Sequence, residues 1–175
     1  MKRFKFLFFM MIALPFFQSC STIPKNAVAV QPFYAEKYLG KWYEIARFDF
    51  RFERNMNNTT ANYSLNDDGS IKVVNQGFNY RKNKYEKAEG KAKFVKSKDV
   101  GMLKVSFFGP FYSGYNVIAI DKDYKYSLVC GKNLKYLWIL SREKTIPDDI
   151  RRDYIAKAKS LGYNTDELIW VEHDK

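Results

Sequence analysis

Two short motifs, about a hundred residues apart, limit most strongly what this chain can fold into. The first is GKWYEIAR at 40–47, and the second is LWILSR at 137–142. Together they predict a small β-barrel that is closed at one end by Trp42 lying under Arg142. The segments between the two motifs then have to supply the remaining strands of the barrel.

The N-terminus has the pattern of a secretory signal. Three cationic residues among the first five precede an apolar run over 6–17, which is too short to span a membrane comfortably. The run ends at Gln-Ser-Cys, which resembles the lipobox of bacterial lipoproteins, so we expect cleavage after residue 19 and acylation of Cys20. Simple secretion is the alternative. Residues 20–34 contain two prolines and no clear periodicity, which indicates a lipid-anchored tether ahead of one domain over 35–175.

Charge and cysteine content narrow the possible partners. Removal of residues 1–19 leaves 156 residues and lowers the formal charge from +11 to +8. That excess favours anionic lipid headgroups or simply serves solubility, and these two readings stay open. The lysines are scattered rather than clustered, which argues against nucleic acid.

With Cys20 acylated, Cys130 has no partner for a disulfide, and its apolar neighbours predict a buried thiol.

Short runs rich in Val, Ile, Tyr and Phe, separated by turn signals, predict an all-β, eight-stranded, up-and-down antiparallel barrel. Turn residues such as those at 67–69 fit tight hairpins. One helix is predicted over 148–161 from its apolar spacing, its acidic start and its basic end, and it must pack outside the barrel. A last short strand follows at 168–171. The predicted barrel strands cover 40–50, 59–65, 71–80, 85–94, 102–107, 114–120, 126–131 and 136–141.

The ordered motifs resemble the lipocalin family, in particular the bacterial outer-membrane lipocalins and, more distantly, apolipoprotein D. The resemblance runs from about residue 33 to residue 171 and rests on several segments beside the opening pair. It implies that Trp42 closes the base of the barrel under Arg142, and a guanidinium over a desolvated indole contributes about 2 kcal/mol. The matching segments are GKWYEIARFDFRFER at 40–54, NYSLNDDG at 62–69, EGKAKF at 89–94, LKVSFFGPFYSGYNVIAID at 103–121, LVCG at 128–131 and YLWILSR at 136–142.

The same resemblance assigns residues to a ligand cavity. By comparison with apolipoprotein D, six residues face the ligand, namely Tyr63, Asn75, Val105, Tyr115, Trp138 and Leu140. Period-two alternation along the strands extends this set to Leu103, Phe107, Val117, Ala119, Ser127 and Val129. It also points Leu128 and Cys130 outward, beneath the helix. The alternative is that these residues form a packed core in a barrel too narrow to bind anything.

These assignments imply an outer-membrane carrier of an acyl-chain lipid, a lysophospholipid or a fatty acid, that acts in maintenance of the cell envelope. A haem-like or pigment ligand is the alternative, with Tyr63 or Tyr115 as the axial ligand because no histidine is available inside. Two further alternatives are a purely structural role in the envelope and an enzyme that acts on a bound lipid. No cofactor, metal or enzymatic activity is expected, since the single histidine is His173 and no catalytic set can be assembled.

Two further features have open interpretations. Glu44 shares the inward face of its strand with Trp42, so it is either a polar anchor for a ligand or one half of a buried ion pair, and we favour the pair. The aromatic segments at 50–56 and 108–112 are expected at loops of the barrel. They contact a membrane, form a homodimer contact or cover the barrel end.

Overall fold

The structure is a computed structural model that describes residues 22–174. The predicted signal sequence and the acylation site at Cys20 lie outside the described residues. A four-residue helix α1 (Ala35–Tyr38) leads into the barrel, a second helix α2 (Asp148–Ser160) follows it, and a 3₁₀ turn covers Thr165–Glu167. The strands are β1 (Gly40–Arg47), β2 (Met56–Leu65), β3 (Ile71–Asn79), β4 (Lys84–Phe94), β5 (Met102–Phe108), β6 (Phe111–Ile120), β7 (Tyr126–Cys130), β8 (Leu137–Ser141) and β9 (Ile169–Trp170).

The first eight strands form a closed antiparallel barrel, which confirms the predicted fold class. Each strand from β1 to β8 pairs with the next along the chain, and β8 returns to pair with β1. The first half of β1 also pairs with β2, and β9 pairs with the last two residues of β1. Gly69 has a φ of +74° in the β2–β3 turn, a conformation that costs glycine little. Closure leaves no free edge on the barrel wall.

Helix α2 covers part of the outer wall, as the apolar spacing of its sequence predicts. Tyr154 and Ala158 are buried and belong to one apolar cluster with Leu128 and Cys130 of β7. The Tyr154 hydroxyl donates a hydrogen bond to the carbonyl of Tyr126 at 2.8 Å. Burial raises the pKa of the Cys130 thiol to about 11, so it remains protonated at neutral pH.

Residues 22–34, which the sequence indicates to be a tether, lie along the barrel wall in the structure. The Val30 amide donates to the carbonyl of Val117, and its carbonyl accepts from Gly101. Asn116 donates to the carbonyl of Thr22 at 2.8 Å. Phe33 is buried at the closed end of the barrel. The outward side chain of Asn116 gives the segment a hydrogen-bond partner that composition alone does not reveal.

The closed end of the barrel is held by Arg142. Its guanidinium lies 3.9 Å from the centroid of the fully buried Trp42 ring. It also donates hydrogen bonds to four carbonyls, those of Lys41 at 2.7 Å, Lys37 at 2.8 Å, Leu39 at 2.9 Å and Tyr124 at 3.3 Å. One side chain therefore joins the end of β8 to the chain that enters β1.

We expect Arg142→Met to lower the free energy of unfolding by about 3 kcal/mol, because both the cation–π contact and hydrogen bonds to partly buried carbonyls are lost. Arg142→Lys should recover less than half of this loss, since an ammonium lacks the planar fork. Urea denaturation measures both changes. The matched control is Arg54→Met, which removes an exposed arginine paired with Asp49 and should cost less than about 1 kcal/mol. An equal loss in the control variant would contradict the role given to Arg142.

The contact between the N-terminal segment and β6 requires a glycine at residue 114. A β-carbon added there would lie 1.9 Å from the carbonyl oxygen of Thr22. We expect Gly114→Val to displace the segment and cost about 1–3 kcal/mol. Trypsin should then cleave after the exposed Lys25 faster than in the wild-type protein. Gly109→Ala is the control, because a β-carbon there meets no atom within 4 Å; unchanged cleavage in Gly114→Val would show that the segment is not held at this point.

Candidate functional site

A cavity of about 650 Å³ fills the half of the barrel away from Arg142. This volume falls within the usual range of small-molecule sites. Its walls are mostly apolar because alternate residues of the strands point inward. The apolar wall residues include Ala61, Ile71, Val73, Ala92, Leu103, Val105, Phe107 and Leu140.

Seven of the nine residues that we assign to the ligand site line this cavity. They are Tyr63, Asn75, Val105, Phe107, Tyr115, Trp138 and Leu140. Val117 and Val129 do not line it, which corrects that part of the assignment. Both point into the barrel but are completely buried in the apolar cluster at its closed end. Phe33 and Tyr38, which enter from the N-terminal segment and α1, pack in the same cluster and fill the space that alternation assigns to a ligand.

Three tyrosine hydroxyls form the polar floor of the cavity. The Tyr115 hydroxyl lies 2.7 Å from that of Tyr38 and 2.8 Å from that of Tyr63. Tyr38 also lies 3.4 Å from the Ser127 hydroxyl. Burial raises the pKa of Tyr38 to about 12 and raises the pKa values of Tyr63 and Tyr115 well above the usual range. The floor therefore stays neutral and offers hydroxyl groups at physiological pH.

A second polar cluster lies where β1 passes into the β1–β2 loop. The Arg47 guanidinium donates to the Glu44 carboxylate at 2.8 Å and to the carbonyls of Glu53 at 2.7 Å and Met56 at 3.1 Å. Glu44 is thus half of a buried ion pair, as favoured from the sequence, and it also lines the cavity. The Trp138 indole donates to Glu53 at 3.3 Å.

Two carboxyls and one guanidinium share this buried cluster, so one carboxyl has no cation of its own. Burial raises the pKa of Glu44, and Arg47 opposes that shift. Burial and the neighbouring charge of Glu44 raise the pKa of Glu53 well above its usual range. We assign the shared proton to Glu53, because Arg47 makes its short contact with Glu44.

Other polar groups lie higher in the cavity. The Asn75 side-chain oxygen is buried and, among residues 22–174, has no hydrogen-bond partner. An unpaired buried acceptor costs free energy, so it is a natural contact for a donor on a ligand. Lys87 and Lys132 are exposed and line the mouth. The arrangement suits a long apolar molecule with a polar head at the mouth.

Sequence reasoning missed several residues of the site. Ile71 and Val73 lie on the same strand face as Asn75, and Tyr136 lies on that of Trp138, so strict alternation could have found them. Tyr38 and Glu53 lie outside the strands, where alternation carries no information. The remaining missed residues on the cavity wall include Ala61, Thr59, Gln76, Glu86, Ala88 and Ala92.

Trp138 is the aromatic centre of one wall. Its ring contacts Phe50 edge to face with centroids 5.6 Å apart, and it stacks on Tyr136 at 6.2 Å and Tyr115 at 6.5 Å. Phe50, Phe52 and Met56 line the cavity from the β1–β2 segment. An apolar ligand would therefore change the surroundings of Trp138 directly.

No group of three or more His, Cys, Asp or Glu side chains in the described part of the chain could hold a metal ion. Among the same residues, no helix has the length and apolar content needed to cross a membrane.

This geometry, a closed barrel with a blind apolar cavity, defines a class of small ligand carriers. Comparison with known proteins agrees. The family model described as a lipocalin-like domain matches residues 33–173. The outer membrane lipoprotein Blc of Citrobacter freundii is 52% identical over 154 residues, which are 88% of this chain and 87% of that one. The chain belongs to the lipocalin family.

More distant relatives extend the comparison. Apolipoprotein D of Cavia porcellus is 34% identical over 132 residues, covering 71% of this chain and 68% of the relative. The solved structure of insecticyanin from the tobacco hornworm Manduca sexta superposes with a TM-score of 0.67 at 19% identity, covering 89% of this chain and 88% of that one. The family resemblance read from the motifs is therefore confirmed, and the insecticyanin structure confirms the fold.

The Glu44–Glu53 cluster predicts a pH dependence of stability. Both pKa values are raised above the ordinary 4.5, so above about pH 4.5 the folded state binds more protons than the unfolded state. This contribution therefore falls as the pH rises from about 5 to about 8. In Glu53→Gln the fall should be smaller, which urea denaturation at the two pH values measures.

Glu143→Gln is the control for this experiment because Glu143 is exposed. The contribution of His173 to stability instead rises with pH. Burial lowers its pKa, so below about pH 6.5 the unfolded state binds the proton more readily than the folded state does. The comparison between the two variants cancels that contribution. Equal pH dependence in Glu53→Gln and Glu143→Gln would contradict a proton shared in the cluster.

Proposed function

We propose that this protein is a lipid-anchored carrier of the bacterial outer membrane that binds one acyl-chain lipid, a lysophospholipid or a fatty acid, inside the barrel. The observation that carries the proposal is the 650 Å³ blind cavity with apolar walls and polar groups at its two ends. The outer membrane location and the acylation of Cys20 draw support from the relatives named outer membrane lipoprotein Blc.

The chemistry of the cavity supports a single-chain lipid. An acyl chain against the apolar walls gains roughly 0.8 kcal/mol per buried methylene, partly offset by its loss of freedom. Lys87 and Lys132 lie at the mouth, where a phosphate or carboxylate keeps contact with water. The floor holds no formal charge when its tyrosines are protonated, so a charged head placed there would be desolvated without a counterion. The head therefore lies at the mouth and the chain points toward the tyrosines.

A haem-like ligand fits this interior less well. Tyrosine coordinates iron as the phenolate. Tyr63 and Tyr115 are hydrogen-bonded to each other and have raised pKa values, so both resist deprotonation. The carrier role also needs no reaction in the cavity, and we propose no enzymatic activity. A purified protein that develops a strong visible absorbance band with haem would favour the alternative ligand.

We expect Val105→Trp to weaken binding of a sixteen-carbon lysophospholipid by at least about tenfold, because the indole fills cavity space that the chain requires. Native mass spectrometry of delipidated protein, with Trp138 fluorescence as a second readout in the wild-type protein, measures binding. Val95→Trp is the matched control, since Val95 is exposed near the closed end. No bound lipid in the wild-type protein, or equal binding by both variants, would overturn the proposed site.

A further inference from the structure

The open end of the barrel exposes a cluster of aromatic rings, several of which also line the mouth of the cavity. We name as the rim surface Phe52, Phe108, Phe111, Tyr112 and Leu134, which belong to three segments around the mouth. The exposed fractions are 65% for Phe52, 68% for Phe108 and 81% for Phe111. The Phe52 and Phe108 rings lie 5.9 Å apart, so two segments contribute to one apolar patch. Contiguous exposed patches of this kind mark interaction sites.

The loops that surround the rim surface are basic, and those at the opposite end are not. The open-end loops, 48–55, 80–83, 109–110 and 131–136, contain six Lys or Arg against two acidic residues. One of these acids is Glu53, which is buried in the arginine cluster. The closed-end loops, 66–70, 95–101, 121–125 and 142–147, contain six basic and six acidic residues. Positive charge is therefore concentrated around the exposed aromatics.

The described N-terminal segment begins on the same side of the barrel. Thr22 lies against Gly114 and Asn116 on the outer face of β6. Phe111 is three residues, or about 10 Å, beyond Gly114 along β6 toward the mouth. The described chain therefore begins nearer to the rim than to the closed end of β6.

We propose that the rim surface docks on an anionic lipid membrane, so that the cavity mouth opens toward the leaflet that holds the N-terminal acyl chains. Exposed aromatics flanked by cations suit the boundary between headgroups and acyl chains. A second copy of the chain fits less well, because a two-fold contact through the rim brings the same six cations face to face. The orientation rests on the proposed acylation of Cys20, whereas docking of the rim surface does not.

The test places an environment-sensitive fluorophore at the rim. Phe111→Cys carries the label, and Val95→Cys near the closed end is the matched control. Cys130 is buried with a raised pKa and does not compete for the reagent. The acylated protein is reconstituted in vesicles of phosphatidylethanolamine and phosphatidylglycerol. We expect a blue shift, and quenching by brominated acyl chains, for the label at residue 111 and neither for the label at residue 95.

Double variants that carry the label at residue 111 identify which side chains hold the rim surface on the membrane. Phe52→Ser with Phe108→Ser should lower the lipid-quenched fraction at least about fivefold, while Leu65→Ser with Val95→Ser at the other end should not change it. Charge reversal by Arg81→Glu with Lys135→Glu should lower it by a similar factor and only at low salt, since salt screens these charges. The closed-end control is Lys98→Glu with Lys122→Glu.

Several outcomes would overturn the proposal. These are the absence of a shift at residue 111, an equal shift at residue 95, and a shift at residue 111 that appears without vesicles and tracks dimer formation. Intact-mass measurement shows whether Cys20 is acylated. If it is not, the rim surface must still bind added vesicles, and failure to do so overturns docking. Lipid binding inside the barrel is measured separately by native mass spectrometry, so loss of the proposed cargo is distinguishable from loss of docking.

Discussion

The contact of Arg142 with Trp42 is the constraint on which the rest of this barrel depends. A barrel with two open ends would be a channel through the molecule, and its interior would fill with water. Here one guanidinium covers the indole at 3.9 Å and holds three carbonyls of the entering chain, and Phe33 and Tyr38 pack beside that indole, so the interior ends blindly. Any bound molecule must therefore enter and leave at the opposite end, where the loops are more basic than those at the closed end and expose aromatic rings.

The interior is divided into a packed lower half and a hollow upper half. Phe33 and Tyr38 fill the lower half from outside the strand sequence, and the small residues Gly77 and Ala88 line the cavity nearer the mouth. Different residues of the same strands therefore stabilise the fold and line the ligand cavity. Substitutions in the lower half create voids in close packing, whereas substitutions in the upper half change the shape available to a ligand.

The sequence predicts much of this arrangement because strands repeat every two residues and turns have recognisable residues. Alternation places Trp138 and Leu140 on one face of β8, and the resemblance to apolipoprotein D identifies that face as the inner one. Both residues line the cavity, and Cys130 lies under the helix as alternation predicts. Alternation does not say how far down the barrel packing extends, so it predicts that Val117 lines the cavity, whereas Val117 is packed in the filled lower half. Alternation also gives no prediction for Glu53, because this residue lies in the loop between β1 and β2. Contacts with Arg47 and Trp138 hold it there.

The row of hydroxyls at the cavity floor has one free end, at Tyr63. Its hydrogen bonds can run from Tyr63 through Tyr115 and Tyr38 to Ser127, which then donates to the carbonyl of Ala119, or in the reverse direction, which gives up only the 3.5 Å contact between Ser127 and Ala119. In one order Tyr63 presents a lone pair to the cavity, and in the other it presents a hydrogen. Tyr63 can therefore pair with either a hydrogen-bond donor or an acceptor at the end of the ligand that lies deepest in the cavity. Selection between different headgroups then depends on the residues at the mouth.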